Sequence, residues 1–394
     1  MLIVPRADDQ TTLKDGALDK VLTDAHEVWG TPRITGRCSK PSRGEWMKAL
    51  ADSTPIAALN IPGTHDTATW NYSLATQDAL RHITRFNGND LRHPLEYRCH
   101  WSSIQSSLEV GVRFFDLRYA FDLTDTDLVF WHNEALVSQR SSVEDVLFAF
   151  WDWLDAHPSE TLLLSFMYQG RTKAGASHSA AVQSRLFDIL TSDVAKKYIL
   201  QQRGELPTLG RARGKAILVR RFTLDRLDPS FDAALPGIHL AEGWSDNGKA
   251  IELVYNKTTG ATAHIEDYYT PEDLPEDATT VQNIEAKVNV TAAHLEKAAT
   301  EYADSLFITF ASGGRISANP PVYPETMAVG NGTDVTPRGG VNHQLVPVLE
   351  SLRGKRKGVV MLDFFEEPQD LVELILDLWG RGQRVCYAAF AHRL

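Results

Sequence analysis

The chain's 394 residues, 43% hydrophobic and 23% charged, are enough for a sizeable core and exclude a disordered or fibrous protein. A formal net charge of -11 argues against nucleic acid, which is bound largely through Lys and Arg on phosphates, and against electrostatic attachment to anionic lipid. Any membrane contact must then use apolar or aromatic side chains.

The N-terminus, MLIVPRADDQ, has no apolar stretch long enough for a signal peptide, and no segment approaches the ~18 apolar residues of a membrane span. Residues 1–50 read as irregular, with a Pro/Arg/Gly cluster at 32–44, and the domain boundary falls between an N-terminal extension (1–44) and a barrel (45–394). From Ile56 onward, eight short β-branched or aromatic runs are expected as strands: 56–61, 112–118, 128–131, 161–167, 215–221, 262–266, 305–311 and 358–364. Helical periodicity marks 142–156, with Ser141 or Ser142 as N-cap, and 179–190, 291–302 and 369–379. Strand-helix alternation repeated eight times implies an α/β fold, a TIM-type (β/α)8 barrel. Segments 222–261 and 312–341 are expected as long loops after strands. Cys38, Cys99 and Cys386 are widely spaced and allow at most one internal disulfide. The sequons at Asn71, Asn256, Asn289 and Asn331 matter only in a secreted chain.

Barrels of this kind collect function at the C-terminal ends of their strands. There the apolar runs close in His65 and Asp66, Asp116 and Arg118, His132, Arg220 and Arg221, and Asp363. Two histidines, three carboxylates and three arginines at one end supply a general base, a general acid and a clamp for a negatively charged group. Charges at the ends of buried strands are unfavourable unless paired or used. Gly63 reads as the residue that lets the backbone turn after the first strand.

The stretches IPGTHDTATW, VRFFDLR, FWHNEAL, HPSETLLLSF, RARGKAILVRRF, EGWSDN, IEDYY and GVVMLDFF resemble, in that order, successive blocks of the bacterial-type phosphatidylinositol-specific phospholipases C. The resemblance implies an irregular TIM-type barrel acting on the phosphodiester of phosphatidylinositol or a GPI-type relative at a membrane surface, as a monomer, and leans toward an extracellular setting. It makes His65 the general base, oriented by Asp363, and His132 the general acid, partnered by Asp66. Arg118 contacts the phosphate, Asp116 supports it, and Arg221, Asp267 and Tyr269 hold the inositol ring. The products implied are diacylglycerol and inositol 1,2-cyclic phosphate.

Calcium-dependent members of the wider superfamily place acidic or amide ligands at the positions of Asp66, Asp116, Arg118 and Met167. A cation and a thioether at two of the four imply a metal-independent, calcium-free reaction without cofactors. Met167 stands where the bacterial pattern has a lysine on the inositol, and Tyr119 replaces a glycine. Lacking the tryptophan of its relatives near SGGRISANPP, the chain is expected to insert Ile316, Val322 and Tyr323 into lipid. The competing readings are a non-catalytic inositide-binding barrel and a metal-dependent phospholipase D or glycerophosphodiesterase-type barrel, which needs a carboxylate-only metal site.

Overall fold

The structure, a computed structural model, describes residues 7–31, 43–86, 91–330 and 335–378. Cys38, Cys386 and the sequon at Asn331 lie outside the described residues. Its strands are β1 (Ile61–Thr64), β2 (Phe114–Phe121), β3 (Leu128–His132), β4 (Ala135–Leu136), β5 (Thr161–Tyr168), β6 (Lys215–Arg221), β7 (Ile238–His239), β8 (Ile251–Asn256), β9 (Ala261–Glu266), β10 (Leu306–Phe310) and β11 (Val359–Leu362). They form one curved sheet in the order β7-β6-β5-β2-β1-β11-β10-β9-β8, with β3 paired to β2 and β4 to β3. From β7 round to β9 all neighbours are parallel, which gives the eight staves of a TIM-like barrel.

The eight staves are not the eight runs expected from sequence. β3 runs antiparallel to β2, with Tyr119 opposite Phe130. The physical reason is loop length: residues 122–127 are too few for a parallel crossover, which needs about a dozen. Asp122 instead closes a tight turn, its Oδ1 accepting from the Thr126 amide at 2.9 Å. The missing stave is the two-residue β7, inside a segment expected as loop, as is β8, which folds back antiparallel on β9. The apolar run 56–61 is also not a strand. Pro55 starts a 3-10 turn at Ile56–Ala58, and Ile56 and Leu59 pack with Met47 at the floor of the barrel interior. Between β7 and β8 the sheet ends, leaving a cleft of about 500 Å³ lined among others by Arg203, Arg220, His239, Glu242 and Lys257.

Within each stave the side chains alternate between two cores. Ile61, Phe114, Leu163, Val219, Ile265, Ile308 and Met361 fill the interior. Phe115, Leu117, Leu162, Leu164 and Leu218 face the helices outside, including Val143–Ala156, which Ser142 and Asp145 open with a reciprocal capping box. A helix at Thr280–Thr300 begins a full three turns earlier than its periodicity suggested.

The N-terminal region is not irregular. Ala7–Trp29 is one 23-residue helix. Leu18, Leu22, Ala25 and Trp29 recur at helical spacing, and Ala25, Val28 and Trp29 are buried, Trp29 edge-on to Phe150 at 4.9 Å. Among the described residues no helix is long and apolar enough to cross a membrane.

At the barrel floor Arg113 has no exposed surface. Its Nε and Nη2 donate to Glu160 at 3.1 and 2.9 Å, and its remaining donors reach the carbonyls of Leu108, Val112 and Gly44, each at 2.8 Å. Glu160 also accepts from the Met47 amide at 3.1 Å, so the pair fastens residues 43–49 to the start of β2 and β5. Arg113→Ala strands a buried carboxylate and is expected to lower the unfolding free energy by about 3–5 kcal/mol in guanidinium titration. A loss below about 1 kcal/mol would show that the pair is dispensable.

Candidate active site

The interior row of each stave, followed upward, ends in a polar or aromatic group. In β1 it runs through Ile61 and Gly63 to His65, in β2 through Phe114 to Asp116 and Arg118, and in β5 through Leu163 and Ser165 to Met167. β6 ends at Arg221, β9 at Asp267, β10 at Phe310 and β11 at Asp363. Register sets them side by side: Arg118 is opposite Met167, which is opposite Arg221. Gly63 serves this crowding and not a turn. A Cβ there would stand 2.4 Å from Met361 Sδ and 3.0 Å from Phe114 Cβ. The turn is made by Asp66, held left-handed at φ 40°, which swings a side chain due to face outward back into the mouth.

His65 and Asp363, 298 positions apart, meet where β1 pairs with β11: Nδ1 lies 2.9 Å from Oδ1. Asp363 is fully buried and its Oδ2 accepts from the Gly313 amide at 3.3 Å. The hairpin β2–β3 brings His132 to the same mouth, the two imidazole centroids 6.3 Å apart and nearly perpendicular. His132 Nδ1 donates to the Tyr97 carbonyl at 2.9 Å and lies 3.2 Å from Asp66 Oδ2. In both rings Nδ1 is engaged, so Nε2 is the nitrogen left for a reactant.

Arg118 donates from Nε to Asp116 Oδ2 at 3.1 Å, and its Nη1 is 3.6 Å from Asp66. Arg221 lies 3.6 Å from Asp116 and donates to Asp267 at 3.3 Å. Burial pushes the Asp116 carboxyl up, but the two guanidiniums outweigh it and hold it at about 2. Asp66 goes the other way. Burial raises it, and His132 and Arg118, both farther off than Arg118 is from Asp116, offset this only in part. His132 is pulled below its usual range by burial, with Asp66 opposing. The Arg118 guanidinium loses by burial and gains more from Asp116 and Asp66, so its proton is held tightly.

Several groups carry no signal in the residue pattern. Trp244 donates Nε1 to Asp267 at 2.8 Å, and its ring lies under the Arg221 guanidinium at 3.8 Å. Residues Tyr97–His100 bind the site from behind. Tyr97 supplies the carbonyl under His132, Phe364 N donates to Cys99 O at 2.8 Å, and His100 Nε2 bonds the His65 carbonyl at 2.6 Å. Burial pushes the Cys99 thiol well above its usual range. Tyr269 donates its hydroxyl to Asp246 at 2.8 Å and its backbone amide to the Asp267 carbonyl at 3.1 Å. Arg220 points out of the barrel, to Asp232 at 2.8 Å. Val322 is fully buried and cannot insert into lipid, because Arg315 and Val322 exchange backbone hydrogen bonds and fold the rim segment inward. Tyr323 packs on His93 at 5.4 Å.

Residues 85–222 match the X domain of phosphatidylinositol-specific phospholipase C. The chain is 29% identical over 195 residues to the human PI-PLC X domain-containing protein 1, covering 44% of this chain and 55% of the relative. It is 27% identical over 180 residues to the 1-phosphatidylinositol phosphodiesterase of Listeria monocytogenes, covering 44% and 48%. It thus spans about half the length of these curated relatives. In fold it is similar to a double mutant of the phosphatidylinositol-specific phospholipase C from Staphylococcus aureus, with TM-score 0.64 and 18% identity over 85% of this chain and 96% of that one.

The electrostatic ordering of the site is measurable without any substrate. By nitrogen-15 NMR titration His132 is expected below the ordinary ~6.5 of imidazole. Asp66→Asn removes the negative charge that raises it, so the value should fall further. A rise in the variant would contradict the balance of burial against Asp66.

Proposed function

We propose, from the geometry of the barrel mouth and from the likeness of residues 85–222 to the X domain of phosphatidylinositol-specific phospholipase C, that the chain cleaves the phosphodiester of phosphatidylinositol, or of a lipid sharing that inositol phosphodiester, to diacylglycerol and inositol 1,2-cyclic phosphate. The observation that carries the proposal is the pair of imidazoles, 6.3 Å apart and each tied back through Nδ1, at one barrel mouth with an arginine held by two buried carboxylates.

His65 Nε2 takes the proton of the inositol 2-OH, and Asp363 stabilises the imidazolium that forms. The oxygen attacks phosphorus within the same molecule, so no bimolecular encounter is required. Arg118 stabilises the charge gathering on the non-bridging oxygens. His132 Nε2 protonates the departing glycerol oxygen. Burial disfavours the imidazolium that this role requires, and the anionic phosphodiester, once bound, favours it. The acid is therefore loaded mainly in the enzyme-substrate complex. Arg221, braced by Asp267 and stacked on Trp244, is the polar wall for the inositol hydroxyls, and Met167 beside it contributes only a thioether face.

The reaction runs without calcium. Calcium takes six to eight oxygen ligands, and here the guanidinium of Arg118 already lies against the two carboxylates a calcium site would recruit. Turnover on phosphatidylinositol vesicles is expected to persist in excess EDTA. Abolition by chelator with recovery on added calcium would overturn this.

The two histidines are distinguishable by leaving group. His65→Ala and His132→Ala should each lower turnover by at least ~10²-fold. A nitrophenyl ester needs little protonation as it departs, so it should rescue His132→Ala far more than His65→Ala. Equal losses on both substrates would contradict the roles.

A further inference from the structure

Behind the His65–Asp363 pair lies a third donor, the Cys99 thiol, that the proposed reaction does not use. His65, Cys99 and Asp363 each offer one donor atom, a nitrogen, a sulfur and an oxygen, and these atoms lie within 4.8 Å of one another. The three residues come from the end of β1, the loop before the helix Ile104–Val110, and the end of β11, yet their backbones are locked together. His65 N donates to Leu362 O at 3.0 Å, Phe364 N to Cys99 O at 2.8 Å, and the His100 ring bonds the His65 carbonyl at 2.6 Å. Cys99 N is held in addition by Thr69 Oγ1 at 3.1 Å. Asp363 and Cys99 are fully buried, and the His65 side chain, 12% exposed, is the part that faces the cleft. The three donors are thereby held near one another before any ion arrives, and closing on it asks for side-chain adjustment and not for movement of the backbone.

We propose that His65 Nδ1, Cys99 Sγ and a carboxylate oxygen of Asp363 form a binding site for a zinc-class divalent ion, and that filling it turns the catalytic base off. The donor chemistry selects the ion. A thiolate with an imidazole and a single carboxylate suits zinc and its thiophilic congener cadmium, whereas calcium and magnesium require oxygen shells. Three protein ligands leave a fourth tetrahedral position open. On binding, the Cys99 thiol gives its proton to solvent. His65 must offer the Nδ1 lone pair, so its own proton moves to Nε2. One proton is released per ion, and affinity falls as pH is lowered. With Nδ1 on the metal and Nε2 protonated, His65 has no lone pair left for the inositol hydroxyl.

The inhibitory half of the proposal rests on the phospholipase reading, and the binding half does not. The test uses the full chain without a histidine tag, stripped with chelator, in a Cys38→Ser/Cys386→Ser background so that Cys99 is the one thiol of the three in the sequence. Cadmium titration should give an ultraviolet thiolate-to-metal charge-transfer band saturating at one ion per chain, and Cys99→Ser should remove it. In parallel, one equivalent of zinc should reduce phosphatidylinositol cleavage at least about tenfold and EDTA should restore it, whereas Cys99→Ser, read against its own metal-free rate, should lose this sensitivity. If Cys99→Ser does not fold, His65→Ala in the same background serves for the spectroscopic arm, where cadmium affinity should fall at least about tenfold. Absence of the band, or zinc inhibition that survives Cys99→Ser, overturns the site. A chain that forms the band but never cleaves phosphatidylinositol overturns the proposed function and leaves the metal site standing.

Discussion

Three carboxylates with no exposed surface, Asp66, Asp116 and Asp363, share one barrel mouth, and the other polar choices in the site answer to the free energy of keeping them out of water. Each is answered differently. Asp116 has two guanidiniums and is held strongly ionised, and Asp363 has an imidazole and a backbone amide. Asp66 has an arginine at 3.6 Å and an imidazole at 3.2 Å, and burial pushes it upward in spite of them. The gradient from Asp116 to Asp66 is what makes the two sides of the mouth chemically unlike. One side is a fixed anion gripping a fixed cation. The other is a carboxylate whose charge depends on what stands next to it, which suits the side where a proton is to be handed over.

Much of this was legible in the sequence because a barrel imposes two strict rules. Charged residues closing apolar runs mark the strand ends, so His65 and Asp66, Asp116 and Arg118, Arg220 and Arg221, and Asp363 could be found one strand at a time, and period-two alternation in the structure then decides which of them face inward. Closure makes the last strand the neighbour of the first, so a contact across 298 positions is readable from chain order. Where those rules lapse, the reading lapsed too. The β2–β3 hairpin was counted as a stave because the run 128–131 has strand composition whichever way it runs, and only the six-residue connection tells against it. The two-residue β7 is too short to carry any periodicity. Asp66 breaks the alternation through a left-handed backbone that no residue type announces. The contributions of Tyr97, Cys99 and His100 to orientation pass mainly through carbonyls and amides, which every residue possesses. Val322 was misplaced for a related reason: an apolar residue in a Gly/Pro-rich segment looks exposed until the segment's return path is known.

Family resemblance and residue physics supplied different parts of the site. Resemblance named roles, including those of Asp267 and Tyr269, for which the strand pattern has no opinion. The packing then gives their side chains different partners, Asp267 bonding Arg221 and Trp244 and Tyr269 bonding Asp246. Arg220 and Arg221 illustrate the converse. They are identical in type and adjacent in sequence, and only the direction of the β6 pleat sends one into the mouth and the other to Asp232 outside.

The helix Ala7–Trp29 touches both halves of this machinery from outside the barrel. Trp70, four residues beyond Asp66, donates its indole nitrogen to Val28 O at 2.8 Å. Ser138 and Ser141, in the segment that follows the hairpin carrying His132, bond Glu27 at 2.6 Å and Asp24 O at 2.9 Å. One peripheral element therefore splints the loop after His65 and the loop after His132. Among its described residues it is held by buried Ala25, Val28 and Trp29 and by these polar contacts, outside the strand ladder that closes the barrel. Its loosening on warming would let the two loops drift apart while the barrel remains intact, and the temperature at which the site loses its shape should lie below the temperature at which the fold is lost.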